Sequence, residues 1–243
     1  MTLVMVAGRG SARARGRSAA DLVHAALRDE ILTLAREPGS QVNEKQIALA
    51  HGVSRTPVRE AILRLANEGL IDIVSKSGTY VSRIPLANLA EAIVMRRALE
   101  EVSVRAAVEK ASASQILGLK AVLARQEEAL AIGDQAGFHA ADEVLHEAIA
   151  RSGRFPGIWT VVQQIKLQVD RYRRLTLPQT GRIARAIAEH RAVVEAIEAR
   201  DADAAAAAMR AHIDGLKIRM DDVLRLNPHF FEGDPSELAL AAA

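Results

Sequence analysis

The 243-residue chain contains no cysteine. That absence excludes disulfides, thiolate metal sites and a cysteine nucleophile, and it fits a reducing compartment. Aromatic residues make up only 3%, and β-branched residues are not gathered into alternating runs. With Ala and Leu abundant, this composition favours helices over sheets. No stretch approaches the roughly 18 consecutive apolar residues of a membrane span. The opening MTLVMVAGRGSARARGRS has a brief apolar start but lacks the apolar core of a secretory signal. The expectation is a soluble, cytoplasmic protein with no membrane partner. Strong charge of either sign is missing too: the formal net charge of +2 does not by itself imply a nucleic-acid partner.

With 49% hydrophobic and 26% charged residues, the chain is globular and long enough for two domains. Its charge is unevenly spread. Residues 1–85 carry 12 Lys+Arg against 8 Asp+Glu, whereas residues 86–243 carry 20 against 22, so the basic balance lies in the N-terminal third. Residues 1–17 read as a disordered basic arm, either a solvated tail or a non-specific contact for phosphates.

From Ala19 to Arg36, Leu22, Ala26, Ile31 and Leu34 recur at helical intervals until Pro38 and Gly39 stop the run. Asn43 can cap a short second helix, EKQIALAHG, that ends at Gly52, a favoured left-handed C-terminal position. In a third helix Val58, Ala61, Ile62 and Leu65 form a buried stripe, with Pro57 tolerated in the first turn and either Ser54 or Thr56 as cap. Ile71, Ile73 and Val74, then Tyr80 and Val81, flank the turn signal Lys76-Ser77-Gly78, which predicts a hairpin. Three short helices and a hairpin make a winged helix-turn-helix over residues 18–85, closed by Pro85.

Residues 86–228 read as an all-helical domain, with breaks near Ala111–Ser114, Ile132–Asp134, Ser152–Gly157, Leu177–Gly181 and Arg200–Asp203. Six or so antiparallel helices in a bundle account for it. Residues 229–243 read as a loose C-terminal tail, with Phe230 and Phe231 able to dock on the bundle. The fold class is therefore mainly α.

In GVSRTPVREAILRL, Arg55 and Arg59 sit at a helix N-terminus, where the dipole disfavours cations. A helix that enters the major groove presents its N-terminal residues to base edges. Arg55 and Arg59, at i and i+4, project from one face, and either can make a bidentate contact with guanine. Ser54, Thr56 and the helix amides can hold phosphates. Lys45, Ser77 and Gly78 are further candidates, because a glycine at the hairpin tip lets the backbone approach a groove.

The stretch PGSQVNEKQIALAHGVSRTPVREAILRLANEGLI…SGTYV resembles the DNA-binding domain of the GntR family of bacterial transcription regulators. Its VSRTPVREA core is highly specific to that family. The resemblance carries the family's DNA-contacting residues onto Lys45, Arg55, Thr56, Arg59 and Gly78. Val42 and Ile47 stand where Leu is commoner, an exchange a core tolerates.

In the second domain Asp142 and His146 lie at i and i+4 on one face of a helix. His190 precedes, and His212 follows, the joint near Asp201 by 11 residues, so in an antiparallel hairpin the two lie level. Three imidazoles and a carboxylate can thus converge, a set suited to a divalent ion such as Zn, Ni, Mn or Fe. Glu143 and His146 also form Glu-x-x-His, the half-motif of dinuclear carboxylate bundles. Ile187 and Met209 stand where a second copy needs glutamates, so a dinuclear site fails.

The segments MRRALEEVSVRAAVE, DEVLHEAIARSG and EHRAVVEAIEARDADAAAAAMRAHI resemble the helical ligand-binding domain of the FadR-type branch, the FCD domain. In metal-binding members the ligands match Asp142, His146, His190 and His212. The acyl-CoA responder that names the branch lacks that set, which disfavours an acyl-CoA effector. Arg96 matches a family arginine that faces the cavity and pairs with an effector carboxylate; the plainer reading is a surface pair with Glu100 at i+4. Arg171, Tyr172 and Arg173 are further polar cavity candidates, or simply a charged face.

These observations predict a homodimeric transcription regulator, a repressor, that binds a palindromic double-stranded DNA operator. It responds to a small organic acid at the metal and Arg96. The rival readings are a metal sensor without organic effector, a mononuclear metallohydrolase with Glu143 as general base, and a metal-free dimerisation bundle.

Overall fold

A computed structural model describes residues 17–176, 181–217 and 220–236. The expected basic arm lies outside these except for Arg17, as does most of the break expected at 177–181.

The first helix, α1 (Ala19–Leu32), begins at a capping box in which the Ser18 hydroxyl accepts from the Asp21 amide and the Asp21 carboxylate accepts from the Ser18 amide. Such a cap contributes about 0.5–2 kcal/mol. The helix stops four residues before the expected Arg36. Thr33 turns its hydroxyl back onto the Asp29 carbonyl, and Leu34 adopts a left-handed φ of 62°, which ends the α run ahead of Pro38. Asn43 caps α2 (Glu44–His51) by accepting from the Lys45 and Gln46 amides at 3.0 and 3.1 Å. Gly52 follows at φ 64°, a conformation costly for any residue with a Cβ. That turn sets α3 (Arg55–Asn67) against α2 and α1, burying Val58, Ala61, Ile62 and Leu65. Ser54 holds the N-cap position, but its side chain makes no cap hydrogen bond, and Thr56 lies within the helix.

Strands β1 (Ile71–Val74) and β2 (Gly78–Val81) pair antiparallel, Ile71 opposite Val81 and Val74 opposite Gly78. They form the wing. Only Ile71 and Val81 are buried from this hairpin, joining Val23, Leu27, Ile47 and Leu70 in the core of the unit.

The rest of the chain is helical: α4 (Leu86–Lys110), α5 (Ala113–Ala131), α6 (Gln135–Ser152), α7 (Pro156–Ile165), α8 (Leu167–Thr176), α9 (Arg182–Glu198), α10 (Ala202–Asp214) and α11 (Met220–Leu226). Among the described residues there are thus eight α-helices where six or so were expected. The additional breaks fall at Lys166 and in the 3₁₀ turn Gly215–Lys217. Lys166 lies in no Pro- or Gly-rich stretch, and its side chain lies between Glu143 and Asp170. The α4, α9 and α10 helices pack together, and α5 packs on α6 and on α9, around Leu89, Val104, Leu145, Val193, Ile197 and Met209.

Among the described residues, a strand pairing and a helix join the domains. Strand β3 (Ile84–Pro85) pairs in parallel with β4 (Phe231–Glu232), and Arg83 donates to the His229 carbonyl at 3.0 Å. Phe230 and Phe231 are buried in the helical core, so the expected docking holds for them and this part of the tail is not loose; residues 237–243 lie outside the described residues. Changing Phe231 to Ala is expected to destabilise the protein by about 3 kcal/mol. Urea unfolding of the two proteins measures that difference. The second joining element is α8. Its Leu167 enters the core of the winged unit, Gln168 donates to the Gly69 carbonyl at 3.1 Å, and buried Arg171 donates to Ser82.

Candidate functional site

At the start of α3, Ser54, Arg55, Thr56 and Arg59 are all exposed, as is Lys45 on α2. The two guanidiniums are not free, however. Arg55 reaches Glu44 at 2.8 Å and Arg59 reaches the same carboxylate at 3.0 Å. Burial would raise the pKa of Glu44, but the hydrogen bonds from Arg55 and Arg59 overcome this and hold it below the usual carboxylate value. Glu44 therefore keeps both arginines side by side at the helix start. The sequence reading missed it, although it stands directly before Lys45. Exchanging Glu44 for Gln is expected to leave stability within about 1 kcal/mol, as for exposed ion pairs. Affinity for random DNA should rise as positive charge is unmasked, and the ratio of specific to non-specific binding should fall; fluorescence anisotropy on both DNAs measures this.

In the wing, Ser77 and Gly78 stand at the tip. Gly78 has φ 139°, and a Cβ there would lie 3.4 Å from the Tyr80 side chain. The Tyr80 hydroxyl donates to the Ser77 carbonyl at 3.1 Å and lies 3.3 Å from the Ser77 hydroxyl, which stiffens the tip.

Inside the helical domain, α6, α9 and α10 bring Asp142, His146, His190 and His212 together. One ligand atom from each lies within 4.8 Å of all the others, and all four residues are buried. The expected level placement of His190 and His212 appears as an Nε2–Nε2 distance of 3.2 Å.

Each histidine has its other nitrogen engaged. His190 Nδ1 pairs with Gln126 Oε1 at 2.8 Å, His212 Nδ1 with Glu189 Oε2 at 3.1 Å, and His146 Nδ1 with Glu100 Oε2. Such partners fix the tautomer and orient the ring, leaving Nε2 as the donor atom for an ion. Burial, then the neighbouring His212, lowers the pKa of His190 well below its ordinary value; burial lowers that of His212 as well. Both therefore favour the neutral, ligating form. His146 Nε2 is buried and has no hydrogen-bond partner among the described residues, which is costly unless something else fills that role. Adjacent ligands around a first-row ion at about 2.0–2.2 Å sit roughly 3–4 Å apart, so this donor set fits one divalent cation with little movement.

Arg173 complicates the set. It forms two parallel hydrogen bonds to Asp142, at 2.6 and 2.8 Å. Burial would raise the pKa of Asp142, but the Arg173 charge and then His146 hold it well below the carboxylate range. In this geometry Asp142 is shared between the cluster and α8.

Among the other candidates, Arg96 is not on the surface. It is buried and pairs with Glu100 at 2.7 Å, and Glu100 in turn holds His146. The i, i+4 pair exists, but it is part of the cluster's support. Of Arg171, Tyr172 and Arg173, only Arg173 reaches the cluster. Arg171 faces Ser82 near the domain junction, and Tyr172 packs in the helical core. Glu143 bonds Lys166 at 2.7 Å rather than turning to the cluster, which removes the general base of the hydrolase reading. Gln126 and Glu189 gave no sequence signal, because the positions that bring them behind the rings are set by packing of α5 and α9.

Residues 19–81 match the gntR family of bacterial regulatory proteins, and residues 91–215 match the FCD domain. The chain is 34% identical to an HTH-type transcriptional regulator in an unstable DNA locus of Streptomyces ambofaciens, over 90% of each chain. It is 27% identical to the HTH-type transcriptional repressor RspR of Escherichia coli, covering 86% of this chain and 92% of RspR. In fold it is similar to E. coli McbR/YncC, with a TM-score of 0.70 at 21% identity, covering 87% of this chain and 99% of the other. The Streptomyces and RspR relatives are named as HTH-type transcription regulators, and no described helix is long and apolar enough to cross a membrane. The chain belongs to the GntR family of DNA-binding transcription regulators, in the branch that carries a C-terminal FCD domain.

Proposed function

We propose that this regulator is a homodimeric repressor that reads a palindromic operator with Arg55 and Arg59 and is controlled by a small carboxylate at a metal held by Asp142, His146, His190 and His212. The reading of operator bases rests on two exposed guanidiniums at the front of α3, with Ser54, Thr56 and Lys45 placed to hold phosphates and Ser77 and Gly78 to approach the groove. Repression follows the E. coli relative named as a repressor. Exposed Val94, Met95 and Val102 on α4 favour subunit contact through the helical domain, and two-fold symmetry in the protein is mirrored in the operator.

The observation that carries the metal reading is the convergence of three Nε2 atoms whose Nδ1 partners are already in place. Glu100, Gln126 and Glu189 hold the rings, and an ion there would supply a positive centre for an effector carboxylate. Arg96 can leave Glu100 for the same carboxylate, or hold Glu100 in position. Exchanging Glu100 for Gln is expected to weaken metal affinity about 10–100-fold, measured by competition with a chromophoric chelator.

Control of DNA binding runs through α8. Arg173 holds Asp142 while Leu167, Gln168 and Arg171 hold the winged unit, so a ligand that alters the Arg173–Asp142 pair biases domain orientation. Such a ligand works only if it binds the two orientations unequally. Arg173 also favours a second reading, in which the ion alone is the signal because it competes for Asp142. Operator binding measured with Zn, Ni, Mn or Fe alone, and again with added small carboxylates, separates the two. Release only with both supports the carboxylate effector, release by metal alone supports the sensor, and no response to either rejects control through this cluster.

A further inference from the structure

A cleft of about 930 Å³ opens between the two domains, on the far side of α6 and α8 from the histidine cluster. Its walls come from α1 and the end of α3 on one side and from α6, α7 and α8 on the other. Successive residues on the same helices face the two sites: Asp142 and Arg173 turn to the cluster, while His139, Glu143 and Arg174 line the cleft.

Most of the charge in the cleft is already matched. Arg28 pairs with Glu68 at 2.9 Å, and buried Lys166 pairs with Glu143 at 2.7 Å and Asp170 at 2.6 Å. Two inner groups are left over. Arg174 is half-buried and makes no hydrogen bond or ion pair with a described residue; Asp29 and Asp170 act on it only through space. His139 is 8% exposed, and its Nε2 has no partner among the described residues. Burial, then Arg173 and Arg174, lowers the pKa of His139 to about 3, so at neutral pH it is an uncharged imidazole in a positive field. The inner wall therefore offers one guanidinium without an ion-pair partner among the described residues and one unused imidazole nitrogen. Because the lining as a whole carries the carboxylates of Asp29, Glu68, Glu143 and Asp170 against the cations of Arg28, Lys166 and Arg174, an anion here is held by those two groups and not by the net charge of the cleft. The rim is lined by exposed Asn67, Thr160, Gln163 and Gln164, with Asp29, groups that exchange hydrogen bonds with hydroxyls. The volume lies in the range of small-molecule sites and exceeds what an inorganic ion needs.

We propose that this cleft is a second ligand site, which takes a small hydroxylated oxyanion with its charged end on Arg174 and His139 and its hydroxyls at the amide-rich rim. The charged end is a carboxylate or a phosphate, both of which a guanidinium binds in bidentate fashion. A ligand seated there touches α1 and α3 of the DNA-reading unit together with α6, α7 and α8, so it restrains domain orientation independently of the metal cluster.

The test is calorimetric titration with gluconate, glucose 6-phosphate and uncharged glucose. The protein is the full chain carrying His190→Ala and His212→Ala, which keeps carboxylates from binding through a metal; chelator-treated wild-type protein serves if that variant folds poorly. One or both anions are expected to bind saturably, with glucose about tenfold weaker or more. Preference for gluconate or for the phosphate identifies the charged end. Arg174→Gln is expected to weaken anion binding at least about tenfold, with Arg174→Lys in between. No saturable binding of either anion, equal binding of glucose, or wild-type binding by Arg174→Gln overturns the site. Loss of anion binding in R55A/R59A but not in Arg174→Gln overturns it too, by moving the anion to the reading helix.

Discussion

Arg59→Ala is expected to weaken operator binding roughly 5- to 150-fold, the equivalent of about 1–3 kcal/mol for one bidentate base contact. Discrimination at the base it reads should fall with it. Arg59 sits one turn into α3, exposed, with its guanidinium steered by Glu44 toward Arg55. Removing it leaves the buried stripe of Val58, Ala61, Ile62 and Leu65 untouched, so the fold should survive and circular dichroism should match wild type. A Lys45→Ala variant provides the contrast. As a phosphate contact it should weaken all sequences about equally and reduce the slope of log affinity against log salt by about one. Titrations of operator and scrambled DNA at several salt concentrations distinguish these patterns. If Arg59→Ala loses affinity evenly on both DNAs, Arg59 holds phosphate and direct readout by it is wrong.

Replacing His190 and His212 together by Ala is expected to reduce bound metal from one ion per chain to none, measured by elemental analysis after dialysis against a trace of metal. Two imidazoles are lost, and Asp142 reverts to its bidentate partner Arg173, so the remaining His146 cannot hold an ion alone. In wild-type protein, metal at about 100 times its dissociation constant should raise stability by about 2.7 kcal/mol, since binding to the folded state alone adds to it. The double variant should show no such gain. Stoichiometric metal retained by the variant would remove both histidines from the site. The Arg173→Ala variant should move the other way and take up metal more tightly, because Asp142 no longer has a competing cation.

Much of this could be read in order along the chain because it depends on neighbours in sequence. The Asn43 cap, the Gly52 turn, the stripe of α3 and the Lys76–Gly78 wing each follow from spacing within about a dozen residues. The level placement of His190 and His212 was also legible, because α9 and α10 are joined by a short connection and helical rise converts residue counts into distance. The break at Lys166 was hidden because no glycine or proline announces it. For Arg96 the i, i+4 pair with Glu100 is visible in sequence, but its burial beside His146 is not, so the expected surface placement of the pair was wrong. The two phenylalanines of the tail suggested docking, but not that Phe231 pairs with Ile84, a residue far away in the chain.

By itself, the order of residues determined the elements, their caps and turns, the family and the residue types at both candidate sites, because periodicity and capping act over one or two helical turns. Tertiary structure alone decided which charges on separate elements meet. It set Glu44 between Arg55 and Arg59, brought Gln126, Glu189 and Glu100 behind the three imidazoles, and turned Arg173 onto Asp142 while Arg174, the next residue, faced the interdomain cleft. Those pairings depend on how separate helices pack, and packing is fixed only when every buried face finds its partner at once.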